Sequence, residues 1–456
     1  MGEPMSISSH HATAPTLRSA LSSRWAVLAA ATAVQLALGA VYTWSIFGAA
    51  LGPGSASAMQ LSAAEASVPF QACLGTIFLG AFLGGRLQDR HGPRVVVLTG
   101  GVVYALGVYG ASFAHTREQY WLLVASYGVV GGFGTGMAYV TPTAMLQKWF
   151  PDRRALATAI AVTGFGFGGV LTATVATPVI AAHPGDPTTA LRPLALLYLV
   201  MVVLGGLVFR NPPPGAVPRA AAAAPAARSF TLREALGTWQ WTVLTATLAV
   251  NVAASVAFIG AAGSAGRAMV GLDAQGSAAL VSVIAVANGL GRVLWATVSE
   301  RVDRRARRTG RGSGRVGVFL VMLLLQGFCL VLLPVTGSVA VFFAAAVVIG
   351  LCCGGGFGTM PAMCADYFGL QHAGAIYGLM LVGWSIGGIV GPWWLSHDLV
   401  PADAAHYSSA FVLLGIATGC FSLVTALSRP PTLPSTAPVA PAWGCGCCVA
   451  PPALAR

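Results

Sequence analysis

Twelve apolar runs, each long enough to cross a lipid bilayer and joined by short polar links, leave this chain few ways to fold. They begin near residues 25, 66, 95, 120, 155, 192, 239, 277, 316, 338, 373 and 406. A hydrocarbon core about 30 Å thick is crossed by about 20 apolar residues of helix. No water reaches peptide groups inside it, so a spanning segment must satisfy its own N–H and C=O groups, which an α-helix does. The expectation is an all-α integral membrane protein of twelve transmembrane helices embedded in a lipid bilayer. Composition agrees: 56% of residues are hydrophobic and 8% charged, where a soluble domain carries about 25% charged residues.

The formal net charge of +12 would elsewhere suggest a nucleic-acid partner. Here Lys and Arg sit almost entirely in the links between runs. Arg117, Arg192 and Arg267 fall in one set of alternate links, Arg292 lies inside a run, and the remainder belong to the other links and the two ends. Positive charge collects on the cytoplasmic side of a membrane protein. The expectation is therefore a multi-pass protein of the cell inner (plasma) membrane with both termini cytoplasmic, and no nucleic-acid partner. The polar first 24 residues lead straight into a run of spanning length, so no cleaved signal peptide is expected.

Asn211 to Gly237 breaks the alternation with an Asn-Pro-Pro-Pro stretch and an Ala/Pro run. This divides the chain into an N-terminal tail (1–24), a six-helix bundle (25–210), a linker (211–238), a second six-helix bundle (239–428) and a Pro- and Cys-containing tail (429–456). The bundles echo one another. Pro142 precedes Gly168-Gly169 by 26 residues and Pro361 precedes Gly387-Gly388 by the same 26, each proline following a Gly-Phe-Gly-Thr stretch. Asp89-Arg90, after the second run, is echoed by Glu300-Arg301 after the eighth. Parallel repeats with a site at their interface are a transporter architecture.

Asn288-Gly-Leu-Gly-Arg292-Val-Leu-Trp295 places a permanent charge inside an apolar run. If the membrane surface lies near Glu300, eight residues of helix put Arg292 roughly 12 Å below it. A cation there costs at least about 2.5–3.5 kcal/mol and should face the bundle interior or an aqueous cavity. Asn288 is one turn earlier on the same face. Either helix carbonyls hold the guanidinium structurally, or it is an anion site.

Between the second and third runs the chain reads Gly85-Arg86-Leu87-Gln88-Asp89-Arg90-His91-Gly92-Pro93-Arg94. This resembles the G-x-L-x-D-R-x-G-R loop signature of the major facilitator superfamily, whose fold is two pseudo-symmetric six-helix bundles. The resemblance implies a conformational-gating role for Gly85, Asp89, Arg90, Gly92 and Arg94, and for their echo Glu300 and Arg301. A carboxylate at a helix end can bridge to other helix ends and break as the halves rock.

Within that superfamily, four further stretches are similar to the oxalate/formate antiporter family and its monocarboxylate-transporting relatives. They are Tyr42-Thr-Trp44-Ser-Ile-Phe47, Tyr139-Val-Thr-Pro142, Lys148-Trp-Phe-Pro-Asp-Arg-Arg154 and Asn288…Arg292…Trp295. The resemblance runs from about Arg24 to Leu427. It implies that Arg292 pairs with a substrate carboxylate. Asn288 shares its face, and Tyr42, Tyr139 and Trp384, each a phenol or indole offering an apolar wall and one donor, are candidates to line the site, the alternative for each being a lipid-facing or packing aromatic. Oxalate-transporting members carry a second cation, a lysine, in span eleven, where this chain has Trp384; its single lysine is Lys148. One cation neutralises a monocarboxylate better than a dianion. A secondary transporter for a lactate, formate or pyruvate type of anion is expected, as antiporter or symporter. A dicarboxylate such as oxalate, or a drug or metabolite exporter, is the alternative.

All thirteen Asp and Glu read as loop, tail or helix-end residues. Some related monocarboxylate carriers place an aspartate where Asn288 stands, so the reading leans toward anion exchange or facilitated movement. No H-E-x-x-H, G-x-S-x-G or P-loop supports a membrane enzyme, and linker and tails are too short for a sensor domain. The nine cysteines, some gathered as Cys445-Gly-Cys447-Cys448, imply no disulfide framework. No cofactor, metal or catalytic residue is expected, and the chain is expected to work as a monomer.

Overall fold

The computed structural model describes residues 17–213, 229–309, 314–398 and 404–431. The Ala-rich middle of the linker, the cysteine-bearing tail and the side chain of Tyr42 lie outside the described residues. Twelve helices are long and apolar enough to span a membrane. Spans one to six are Arg24–Leu51, Ala64–His91, Pro93–Ala111, Arg117–Trp149, Arg154–Ala182 and Pro187–Val208. Spans seven to twelve are Trp239–Val270, Gln275–Arg308, Arg315–Val335, Val339–Phe368, Ala373–Leu395 and Ala404–Ala426. Leucine, valine and phenylalanine on their outer faces, such as Leu106, Leu196, Leu204, Phe328 and Leu423, are more than half exposed, as a surface in contact with lipid chains requires.

Packing repeats with a shift of six spans. Span one packs on five, two on four and three on six; span seven packs on eleven, eight on ten and nine on twelve. The halves meet through equivalent pairs, two on eleven and five on eight. At the first pair the backbones of Gly85 and Gly374 approach so closely that a side chain on Gly85 would collide with the Gly374 carbonyl. At the second, Ala155, Ala159, Ala296 and Ala362 form a buried patch of small side chains. Small residues allow such close approach without a driving force from water.

Helix ends differ from the sequence reading in two places. The stretch read as a loop after span two is almost entirely helix: Asp89 and Arg90 belong to its last turns, and Gly92 makes the break with φ +83°. Pro93, which needs no N–H donor, opens the next helix. Span eight continues to Arg308, two turns past Glu300, so Glu300 is a buried mid-helix residue rather than a surface marker. In the linker, Leu232–Leu236 forms a short helix opened by a Thr231/Glu234 capping box.

Candidate substrate site and the latch at one end of the bundle

Arg292 is 1% exposed, at the interface of the two halves. Its Nη1 donates across that interface to the Val162 carbonyl of span five at 2.7 Å, and its Nη2 donates to Asn288 Oδ1 at 3.3 Å. The guanidinium carbon lies 5.3 Å from the Phe357 ring centre and 5.8 Å from that of Phe165. Carbonyl, amide and ring faces together offset much of the cost of burying the charge. Asn288 therefore acts as an acceptor that orients Arg292, one helical turn below it.

Four aromatic rings close around this charge. Trp384 lies 5.5 Å from Tyr139, 5.8 Å from Phe165 and 5.1 Å from Phe357, and Tyr139 is 5.1 Å from Phe165. Phe165 and Trp384 each stand 23 residues beyond the proline of their own half, so the repeat delivers one ring from each side to a common centre. Tyr139 and Trp384 thus lie in one cluster with Arg292. Phe165, Phe357 and Tyr377 join them without having been singled out. Tyr377 had a readable signal, since it precedes Trp384 by seven residues, two helical turns on the same face.

Three polar atoms in this cluster lack a hydrogen-bond partner: Arg292 Nε, Tyr139 Oη and Tyr377 Oη. The two phenols are neighbours that interact with each other and with the Arg292 charge, yet neither hydroxyl has a geometrically sound acceptor. A buried donor left unmade costs about 1–3 kcal/mol. Three donors from spans four, eight and eleven, with one positive charge among them, form a set that an anion with two or more acceptor oxygens would satisfy. Gly166 keeps the approach to Nε clear: a Cβ there would stand 3.7 Å from it.

A second constellation lies where the chain's basic links gather. Asp89 Oδ2 accepts from the peptide N–H of Ala375 at 3.1 Å, at the start of span eleven. Glu300 Oε1 accepts from the N–H of Ala155 at 2.7 Å, at the start of span five. Each half thus sends one carboxylate to a helix N-terminus of the other, where unsatisfied N–H groups and the helix dipole favour negative charge.

Glu300 is further embedded in an ionic cluster that the sequence reading missed. Arg315 Nε meets Asp366 Oδ2 at 2.6 Å and its Nη1 donates to Ser299 at 2.9 Å, with Glu300 at 3.4 Å and Asp303 at 3.6 Å from Nη2. Arg307 bridges Asp303 at 2.8 Å and Asp366 at 3.1 Å. Arg154 of the other half reaches Asp366 at 3.5 Å. From sequence all three acids read as loop, tail or helix-end residues; Asp366 does lie near the end of its helix, whereas Glu300 and Asp303 lie within span eight, and all three side chains are hidden from solvent in the company of arginines. Arg90 and Arg301 point outward and take no part in the contact between halves; Arg94 donates to the Phe209 carbonyl within its own half.

Paired six-helix bundles around a charged site at their interface define a secondary membrane transporter. Residues 33–392 match the sequence profile of the Major Facilitator Superfamily, and the chain belongs to that family. It is a transporter, not an enzyme. The chain is 27% identical over 370 residues to the uncharacterised transporter YhjX of Escherichia coli, covering 80% of this chain and 86% of that one. It is 27% identical over 367 residues to apicoplast pyruvate carrier 1 of Toxoplasma gondii, covering 66% and 64%. To the oxalate:formate antiporter of Oxalobacter formigenes it is 27% identical over 305 residues, covering 65% and 66%. Among solved structures, the proton:xylose symporter XylE superposes with a TM-score of 0.67 at 13% identity, over 89% of this chain and 96% of that one, a likeness of fold alone.

Proposed function

We infer that this transporter carries a small monocarboxylate, of the lactate, formate or pyruvate type, by alternating access, with Arg292 as its counter-ion. The observation that carries this reading is the buried Arg292 guanidinium between the halves, whose partnerless Nε shares a cluster with two partnerless phenol hydroxyls. A carboxylate bound there takes one charge-assisted bond from Arg292 and one hydrogen bond from each phenol. Its short organic part would lie against Phe165, Phe357 and Trp384, which offer apolar walls and no second cation. The pyruvate carrier and the oxalate:formate antiporter among the relatives support an organic anion.

With the basic links cytoplasmic by the positive-inside rule, the Asp89 and Glu300 contacts close the cytoplasmic end. Exchange of anions is preferred to proton symport. Glu300, Asp303 and Asp366 are each engaged in ion pairs with arginines rather than placed in the Arg292 cluster.

The test is uptake of radiolabelled lactate, formate, pyruvate and oxalate into proteoliposomes of wild type and Arg292→Lys. Uptake of one of the three monocarboxylates by wild type, lost in the variant, is expected. Undiminished transport by the variant would overturn the assignment of Arg292.

A further inference from the structure

Beyond Glu300, span eight divides into two faces with opposite fates. Glu300, Asp303 and Arg307 point inward to the ionic cluster, and that cluster consumes both acids. Arg301, Arg304, Arg305 and Arg308 follow one another at helical spacing on the outer face, all exposed, around an open cleft of about 480 Å³. Among the described residues none of the four has a carboxylate partner; Arg304 donates to the Glu300 carbonyl of its own helix at 3.2 Å. Four like charges within two turns repel one another and call for an anion from outside the chain.

Depth and the rest of the face say which anion. Arg301 and Arg308 lie nine and sixteen residues beyond Arg292, about 14 and 24 Å along the helix. Arg292 stands at the middle of the span Gln275–Arg308; with the middle of the span at mid-depth, the four guanidinium groups run from the edge of the hydrocarbon core through the headgroup layer. Deeper on the same helical stripe stand Leu290 and Leu294, 55% and 48% exposed. The stripe is apolar where acyl chains lie and cationic where phosphodiesters lie.

We propose that this face of span eight binds an anionic phospholipid, its phosphate held in the Arg301/Arg304/Arg305/Arg308 cleft and its acyl chains against Leu290 and Leu294. A soluble phosphate would use the arginines but not the leucines. The site is independent of what Arg292 binds, so it stands or falls apart from the transport reading.

The full-length protein, reconstituted in nanodiscs of phosphatidylcholine with a minor fraction of phosphatidylglycerol, would be extracted and its retained lipids counted by native mass spectrometry. Wild type should retain phosphatidylglycerol, and the fourfold Arg→Gln variant should lose it. Each arginine removed should weaken retention roughly fivefold. The fourfold Arg→Lys variant should keep most of it, since the attraction is chiefly one of charge. Should the fourfold Gln variant fail to fold, Arg305→Gln with Arg308→Gln serves instead. Equal retention by wild type and the Gln variants would overturn the proposal. So would displacement of the lipid by inorganic phosphate, which would assign the cleft to a soluble anion.

Discussion

Glu300 accepts a 2.7 Å hydrogen bond from the peptide N–H of Ala155, the second residue of a helix in the opposite half. Asp89 does the same for Ala375 at the symmetry-related place. The two bonds fasten one end of the bundle, and they can form only while the halves are closed there.

Asp89→Asn preserves shape and removes the charge. The amide oxygen can still accept from Ala375, but replacing a charge-assisted bond of about 1.5–3 kcal/mol by a neutral one of about 0.5–1.5 kcal/mol should shift the balance toward the state open at that end roughly fivefold. Labelling of a cysteine placed beside Arg292 by a reagent supplied from the basic side should quicken accordingly, and net transport should fall while insertion stays normal. Unchanged labelling and transport would reduce the contact to a packing feature.

Arg292→Ala should insert and fold yet be inactive, because loss of one partner of a desolvated pair costs about 3–5 kcal/mol. Arg292→Lys should be nearly as poor, since an ammonium lacks the planar fork that now spans Val162 and Asn288. Asn288→Ala should cost less, about 1–3 kcal/mol of apparent affinity, through a less well oriented guanidinium. Concentration-dependent uptake separates the three.

Tyr377→Phe and Tyr139→Phe test the donor set directly. Each removes a buried hydroxyl that has no partner, so the ligand-free protein should be as thermally stable as wild type or slightly more so. The extra stability conferred by a transported carboxylate should shrink. A variant that loses stability without ligand and keeps the full ligand shift would count against the phenols as ligands.

Trp384→Lys should move preference toward dicarboxylates such as oxalate by adding a second cation. It also removes a ring packed against Tyr139, Phe165 and Phe357, so a loss of stability should accompany it. The ratio of oxalate to lactate uptake, rather than either rate, is the measurement. A ratio unchanged in a folded variant would remove the charge-matching argument.

For orientation, Glu118→Cys and Arg90→Cys place exposed thiols at opposite ends of the bundle. In a background lacking native cysteines, the first should react with an impermeant reagent in intact cells and the second should not. The reverse pattern would invert the topology.

The spans were legible because an apolar run of spanning length has one physical outcome in a bilayer. Arg292 was legible because a charge in such a run has nowhere else to go. Asp303, Asp366, Arg154 and Arg315 were not. Each sits near the end of an apolar run, where a charge reads as a surface residue, and only the packing of spans five, eight, nine and ten shows that they neutralise one another. Phe165 and Phe357 were hidden for a related reason: in a segment apolar on every face, periodicity does not say which ring faces the partner half. Tyr139 and Trp384 stood out as aromatic side chains with a single donor, and the structure places both in the cluster around Arg292.

Because the donors to Glu300 and Asp89 are peptide groups, the side chains at 155 and 375 contribute nothing to the bonds themselves. Ala155 nevertheless sits in the alanine patch with Ala296, and Ala375 is buried beside the Gly85 contact. Two unrelated filters therefore act on these positions: proline is barred for want of a hydrogen, and anything bulky is barred for want of room. Glycine, alanine and serine pass both, so sequence drift at 155 and 375 should be confined to those three residues although neither side chain touches a ligand or a charge.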